Sequence, residues 1–173
     1  MATTTFVPVE TYLRMESEPD CEYVDGQIEE RPMPEYDHSS WQSALILFFS
    51  TQGKTWKVRS RAELRVRVSP TRFRVPDVTV ISRSAPIEQI IVTPPLAVFE
   101  ILSPENRMSA MMEKFADYER MGIAGIWVID PHKSADNAIG YGYQSGKLET
   151  VITFGLPSLG ITFTIQEIAA FID

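Results

Sequence analysis

Histidine and cysteine are scarce in this chain of 173 residues, with two of the former and one of the latter, and the scarcity removes several chemistries at once. Cys21 has no second cysteine to close an internal disulfide, and one cysteine cannot build a zinc ligand set. His38 and His132 are too few and too far apart in sequence to suggest a histidine metal site. A reducing, cytoplasmic setting is therefore expected. Long apolar runs are also missing. The longest, Ala44 to Phe49, falls well short of the roughly 20 residues a helix needs to cross a bilayer, so no membrane span is expected. Met1 to Glu10 has no basic start and no apolar stretch, so neither a secretory signal nor a transit peptide is expected there. A phosphate loop is only hinted at between Gly140 and Lys147. The Walker pattern needs Gly at position 141 and Ser or Thr at 148, where this chain has Tyr141 and Leu148. That segment reads as a hairpin turn, and no organic cofactor is expected.

What is present suits one folded domain spanning 1–173, with an opening helix and hairpin at 8–31 as part of it. Apolar residues make up 44% and charged residues 23%, enough to build a core without disulfides or a structural metal. The net charge of −7 argues, on average, against a polyanionic partner. The average conceals a cluster. Lys54, Lys57, Arg59, Arg61, Arg65, Arg67, Arg72 and Arg74 fall in one short segment against the lone acid Glu63, half of the 16 basic residues of the chain. The pairs Arg59/Arg61, Arg65/Arg67 and Arg72/Arg74 would each set two guanidinium groups on one face of a strand, suited to phosphates. The plainer alternative is that they face solvent or pair with the acidic remainder.

Turn chemistry and periodicity order the elements. Pro8 to Glu16 suits a short helix, and Asp25-Gly26 between Cys21–Val24 and Gln27–Glu29 predicts a hairpin with a tight turn. After the Pro32/Pro34 break, Asp37 or Ser39 would cap a helix over Ser40–Thr51 that Gly53 ends. Strands are expected near Lys57–Arg61, Glu63–Val68, Val75–Ile81 and Leu96–Leu102, all in one sheet. Asn106–Gly122 carries Met108, Met111, Met112, Phe115, Tyr118 and Met121 at helical spacing. Gly125–Asp130 reads as a buried strand, with Asp130 as a strand-end cap. A hairpin across Ser145-Gly146, a strand near Leu148–Phe154 and a terminal helix from about Gln166 complete the order. This is an α/β (α+β) arrangement, a mixed sheet with helices against it.

Three residues carry chemical promise. Glu100 interrupts the apolar run Leu96–Leu102, where an unpaired carboxylate is costly to bury. Its strand neighbours on the same face, Val98 and Leu102, donate no hydrogen bond, so its partner comes from another element or is a cation. A strand-edge salt bridge is the plain alternative. Asp77, after Pro76 at the head of an apolar strand, is either a turn residue or an acid aimed at a cleft. Together the two carboxylates form the type of set that holds Mg²⁺, with waters and substrate phosphate completing the octahedron. Lys114 borders the buried face of its helix, where an ammonium can reach over the sheet or lie with its head in solvent.

Taken in order, Glu22–Gly26, His38 before a helix, Val75-Pro76-Asp77-Val78, Phe99–Pro104, Lys114 with Tyr118, and Ile126–Pro131 resemble the Uma2 family of putative restriction endonucleases. The match covers nearly the whole chain. The resemblance implies a restriction-endonuclease-like fold of the PD-(D/E)xK type, a mixed β-sheet flanked by helices, with Asp77 and Glu100 binding Mg²⁺ or Mn²⁺. In the common form of that motif a lysine stands two residues after the acid, where this chain has Leu102. The resemblance moves that role to Lys114 on the following helix. It also implies that Glu22 assists at the site and that His38 contacts phosphate or acts nearby. The chain departs from the family pattern at Ala110, where an Asp is usual, and at Glu105 and Asn106. Two functions follow as expectations: a Mg²⁺-dependent endonuclease cutting DNA, with a homodimer as the candidate assembly, or a catalytically silent nucleic-acid-binding or oligomerisation module of the same fold.

Overall fold

Alternation along one central strand sets the layering of the molecule. In the computed structural model, which describes residues 6–16, 21–104, 108–131 and 135–172, the strand Ala97–Ile101 (β7) turns Ala97, Phe99 and Ile101 to one side of its sheet and Val98 to the other. The first set packs with Trp41, Leu45, Phe48 and Phe49 of the helix Tyr36–Gln52 (α2). Val98 packs with Met111, Phe115 and Tyr118 of the helix Met108–Met121 (α3). Each helix thus buries its apolar stripe on an opposite face of the sheet. Glu100, in register with Val98, is carried to the α3 side.

Six strands make this sheet: Lys147–Val151 (β10), Ile139–Gln144 (β9), Gly125–Asp130 (β8), β7, Val78–Ser82 (β6) and Val58–Ala62 (β3), in that order across it. Neighbours run antiparallel except β7 and β8, which are parallel and joined through α3. A parallel pair requires such a crossover, because no tight turn reverses the chain twice. On the α2 side, Phe99 lies 5.6 Å from both Phe49 and Phe154, ring centre to ring centre. The hairpin Thr153–Leu156 (β11) and Ile161–Thr164 (β12) and the helix Ile165–Ala169 (α4) close this core. Thr164 and Glu167 form a reciprocal cap at the start of α4, satisfying two otherwise orphaned N–H groups.

The expected single sheet is in fact divided. Glu22–Val24 (β1), Gln27–Glu29 (β2), Val66–Ser69 (β4) and Arg72–Arg74 (β5) form a second sheet in the order β2-β1-β5-β4. Lys57 and Glu63 both have positive φ, 55° and 51°, so the backbone kinks on either side of β3 and the next strand leaves the main sheet. The strand expected at Glu63–Val68 therefore begins at Val66. The strand expected from Val75 begins at Val78, which leaves Pro76 and Asp77 on an irregular approach with the Asp77 side chain free to project. Near Leu148–Phe154 the chain forms two strands, parted at the exposed Ile152.

Several local expectations are met closely. Asp25 and Gly26 have φ of 48° and 94°, the doubly left-handed turn that joins β1 to β2. Gly122, at φ 93°, follows α3. The opening helix spans Val9–Arg14 (α1). The helix α2 starts at Tyr36, earlier than expected, because Glu35 already accepts its first backbone bond, from Ser39 N–H at 3.0 Å. Asp37 thus sits in the first turn, where its charge complements the helix dipole. Glu105, Asn106 and His132, named from sequence, lie outside the described residues.

Candidate active site

Glu100 is 3% exposed and lies on an interior strand, which removes the strand-edge reading of its charge. Its partners come from α3. Lys114 Nζ donates to Glu100 Oε2 at 2.9 Å and stands 2.8 Å from Oε1, while the Tyr118 hydroxyl donates to Oε1 at 2.7 Å. Lys114 and Tyr118 are one helical turn apart, so both meet one carboxylate. Lys114 also reaches Glu22 Oε1 at 2.7 Å and donates to the Val75 carbonyl at 3.2 Å. It therefore joins the second sheet, the main sheet and α3 at one buried point.

Asp77 lies beside them. Its Oδ2 accepts the Ile101 backbone N–H at 2.7 Å and stands 3.2 Å from His38 Nε2, and its Oδ1 accepts from Arg31 Nη2 at 2.7 Å. The Ile101 bond ties Asp77 to the residue next to Glu100, which fixes the two acids relative to each other. Gln42 on α2 donates to the Asp77 carbonyl at 3.1 Å. His38 Nδ1 is buried without a hydrogen-bond partner.

Asp77, Glu100, Lys114, Glu22 and His38 all line one cleft of about 130 Å³, together with Arg31, Arg74 and Ala110. The structure thus brings together all five candidates read from the sequence. A larger neighbouring hollow of about 610 Å³ shares His38 and Ser103 with it.

The electrostatics follow from crowding. Burial pushes the Glu100 carboxyl up, and the charges of Asp77 and Glu22 add to it. Lys114 opposes both, and the balance sits at about 7. Burial also acts against ionised Asp77, but the His38 bond and the charges of Lys114 and Arg31 hold it below its ordinary value. Glu22 is likewise held down by Lys114 and Arg74 against its burial. Lys114 is raised because Glu100 and Glu22 outweigh its desolvation. Of the three carboxylates in the pocket, Glu100 is thus the one raised, chiefly by its burial, while Asp77 and Glu22 are held down by the cations beside them.

Among the described residues, no three His, Cys, Asp or Glu side chains gather as a metal ligand set. Asp77 and Glu100 nevertheless suit Mg²⁺ by donor type, since that ion is held by one or two carboxylates with water around the rest.

The six arginines proposed for phosphate contact separate on inspection. Arg74 is 2% exposed and points inward to Glu22, Glu29 and Asp117 at 2.8–2.9 Å, so it braces the site from beneath. Arg72 pairs with Asp25, Glu113 and Asp117. Arg59 donates to the carbonyls of Ala85 and Pro86. Arg65 and Arg67 lie over the rings of Tyr12 and Phe73, each 5.8 Å from the centroid. Arg61 is exposed on β3.

Sequence reasoning passed over Arg31 and Asp117. Nothing local marks Arg31, a basic residue in a loop between Glu30 and Pro32. Asp117 carried a signal: it lies on the buried stripe of α3 beside Tyr118, where an acid needs a partner.

The same fold occurs in a crystal structure of a putative nuclease belonging to DUF820 from Anabaena variabilis ATCC 29413. That protein is 24% identical, with a TM-score of 0.79 over 96% of this chain and 100% of the other. No curated protein matches the sequence. The profile of the Uma2 family, described as putative restriction endonuclease, matches residues 9–137. That span holds the two sheets' central strands, α2, α3 and every residue of the cleft discussed above, and the chain belongs to the Uma2 family.

Proposed function

We propose that this protein is a metal-dependent endonuclease of the PD-(D/E)xK type that hydrolyses DNA phosphodiester bonds, formed as a single domain over 1–173. The observation that carries the proposal is the convergence of Asp77 from the approach to β6, Glu100 from β7 and Lys114 from α3 on one cleft, in a family described as putative restriction endonucleases. Asp77 and Glu100 would hold Mg²⁺ or Mn²⁺, which when bound lowers the pKa of a water and offsets charge on phosphate. The rest belongs to the protein. Ile101 N–H and His38 orient Asp77, and Tyr118 orients Glu100. Lys114 supplies fixed positive charge where the attacking oxygen and the phosphate meet. Glu22 holds Lys114 in place, in turn held by Arg74 and the Val75 N–H. Of the six arginines, exposed Arg61 and the ring-stacked Arg65 and Arg67 are the ones left to meet the DNA backbone. A homodimer would present two such sites to the two strands of a duplex, and sedimentation with and without DNA tests it. The chain's single cysteine, Cys21, supports a reducing, cytoplasmic setting.

A second reading has its own support. Every oxygen of Asp77 and Glu100 already has a protein partner, and the cleft carries Ala110 where the family pattern has an acid. Such a site is stable as a silent nucleic-acid-binding or oligomerisation module. Calorimetric titration of Mn²⁺ into the wild type, Asp77→Ala and Glu100→Ala, with plasmid nicking on the same samples, separates the two. Loss of binding and nicking together in the variants supports the nuclease. A wild type that binds no metal even with DNA present supports the silent module.

A further inference from the structure

Arg31 occupies an unusual position for a loop arginine. Its side chain is only 14% exposed, and Nη2 lies 2.7 Å from Asp77 Oδ1 while Nη1 lies 3.3 Å from Glu63. The other oxygen of Asp77 is taken by Ile101 N–H and by His38. Oδ1 is therefore the oxygen Asp77 has left for anything entering the cleft, and a guanidinium now covers it. The cleft's other basic side chains are built into secondary structure: Lys114 on α3, Arg74 on β5. Arg31 stands on the connection between β2 and α2, next to Pro32 and within the cleft wall, so its side chain can swing without breaking a helix or a strand.

We propose that Arg31 is a substrate-phosphate ligand parked on Asp77 until a divalent cation takes its place. The inference rests on the metal-dependent reading of the site. Without metal, Asp77 needs a cation, because an ionised carboxylate at this depth is costly alone. Arg31 meets that need. With Asp77 committed to a divalent ion, the Arg31 guanidinium would be released from it into the cleft wall. Its planar fork matches two phosphate oxygens better than any other donor geometry. Arg31 thus weakens metal binding in the free protein and strengthens phosphate binding in the loaded one.

Two measurements on Arg31→Gln decide the matter. The first is calorimetric Mn²⁺ affinity without nucleic acid, expected to rise about tenfold or more once the competing charge is gone. The second is binding of a short DNA duplex in saturating Ca²⁺, a cation of the same oxygen-ligand preference, expected to weaken about tenfold with loss of a charged bidentate contact. Arg31→Lys, which keeps the charge without the fork, should fall between the two proteins in both. It also serves as the second variant should Arg31→Gln fail to fold. An unchanged or weaker Mn²⁺ affinity overturns the proposal, and so does undiminished duplex binding. Mn²⁺ binding by Arg31→Gln but not by the wild type is its strongest support. If neither protein binds Mn²⁺, the inference and the metal-dependent reading fail together; if both bind but plasmid is never nicked, only the catalytic reading fails.

Discussion

The Lys114 ammonium lies 2.7 Å from a Glu22 carboxylate oxygen, a contact that pins α3 to the hairpin strand β1 and holds the lysine beside Glu100. Both residues are buried, so the pair contributes more to architecture than an exposed one would. Lys114→Met leaves Glu100 buried without its cation and Glu22 with Arg74 alone. The expected cost is about 3–5 kcal/mol at pH 8, by urea denaturation. The deficit should shrink toward pH 5, where Glu100 is protonated and no longer needs the ammonium. A loss below about 1 kcal/mol at pH 8 would mean the ion pair is incidental.

Glu100 makes the protein sensitive to pH near neutrality. Its folded value of about 7 lies above the ordinary 4.5, so the folded state binds the extra proton between those limits. The associated stability is complete below 4.5 and is lost as pH rises through about 7. Asp77 and Glu22, held below their ordinary values, act in the opposite sense: their stability is lost as pH falls. Comparing the wild type with Glu100→Gln in chelator isolates the Glu100 contribution. The wild type should lose ground to the variant as pH rises across that window, and a constant gap would refute the assignment.

The same proton competes with metal. Mn²⁺ affinity of the wild type should fall by about tenfold per pH unit below about 7, followed by calorimetry at several pH values. A flat profile would show that Glu100 is not among the ligands.

Metal should also stabilise the fold by mass action. At a free Mn²⁺ concentration about a hundredfold above its dissociation constant, stability rises by about 2.7 kcal/mol, read as a higher Tm. Asp77→Asn should abolish the rise. An equal rise in that variant would place the ion elsewhere.

The basic segment divides into inward and outward residues, and two variants tell them apart. Arg74→Met removes the buried cation shared by Glu22, Glu29 and Asp117, leaving Glu22 to Lys114 and Asp117 to Arg72 and Arg120, and should cost about 3 kcal/mol. Arg61→Ala, on the exposed edge strand β3, should change stability by no more than about 0.5 kcal/mol while lowering DNA affinity and the salt slope by about one phosphate contact. Equal DNA affinity in Arg61→Ala and the wild type would remove this edge from the nucleic-acid surface.

The amino-acid sequence alone determined whatever local stereochemistry controls. Asp25-Gly26 and Ser145-Gly146 specify tight turns because their backbones accept positive φ, and the apolar stripe from Met111 to Tyr118 specifies which side of α3 is buried. Glu100 also declared itself, since a carboxylate inside an apolar strand needs a partner whatever the fold around it. Asp77 and Lys114 stood out from their own strand-head and helix-border positions, and the ordered series of fragments pointed to the family and so to Glu22 and His38. The tertiary structure alone decided which charges face one another. Arg74 and Arg61 have the same alternating strand context, yet one is sealed against three acids and the other meets water. Arg31 has no local signal and becomes the counter-cation of Asp77 only because the loop before α2 folds over the cleft. The division into two sheets was likewise not legible: positive φ at Glu63 turns the chain out of the main sheet after β3, at a residue whose type does not favour it. Periodicity is a property of neighbouring residues, whereas ion pairing depends on elements far apart in the chain being docked together.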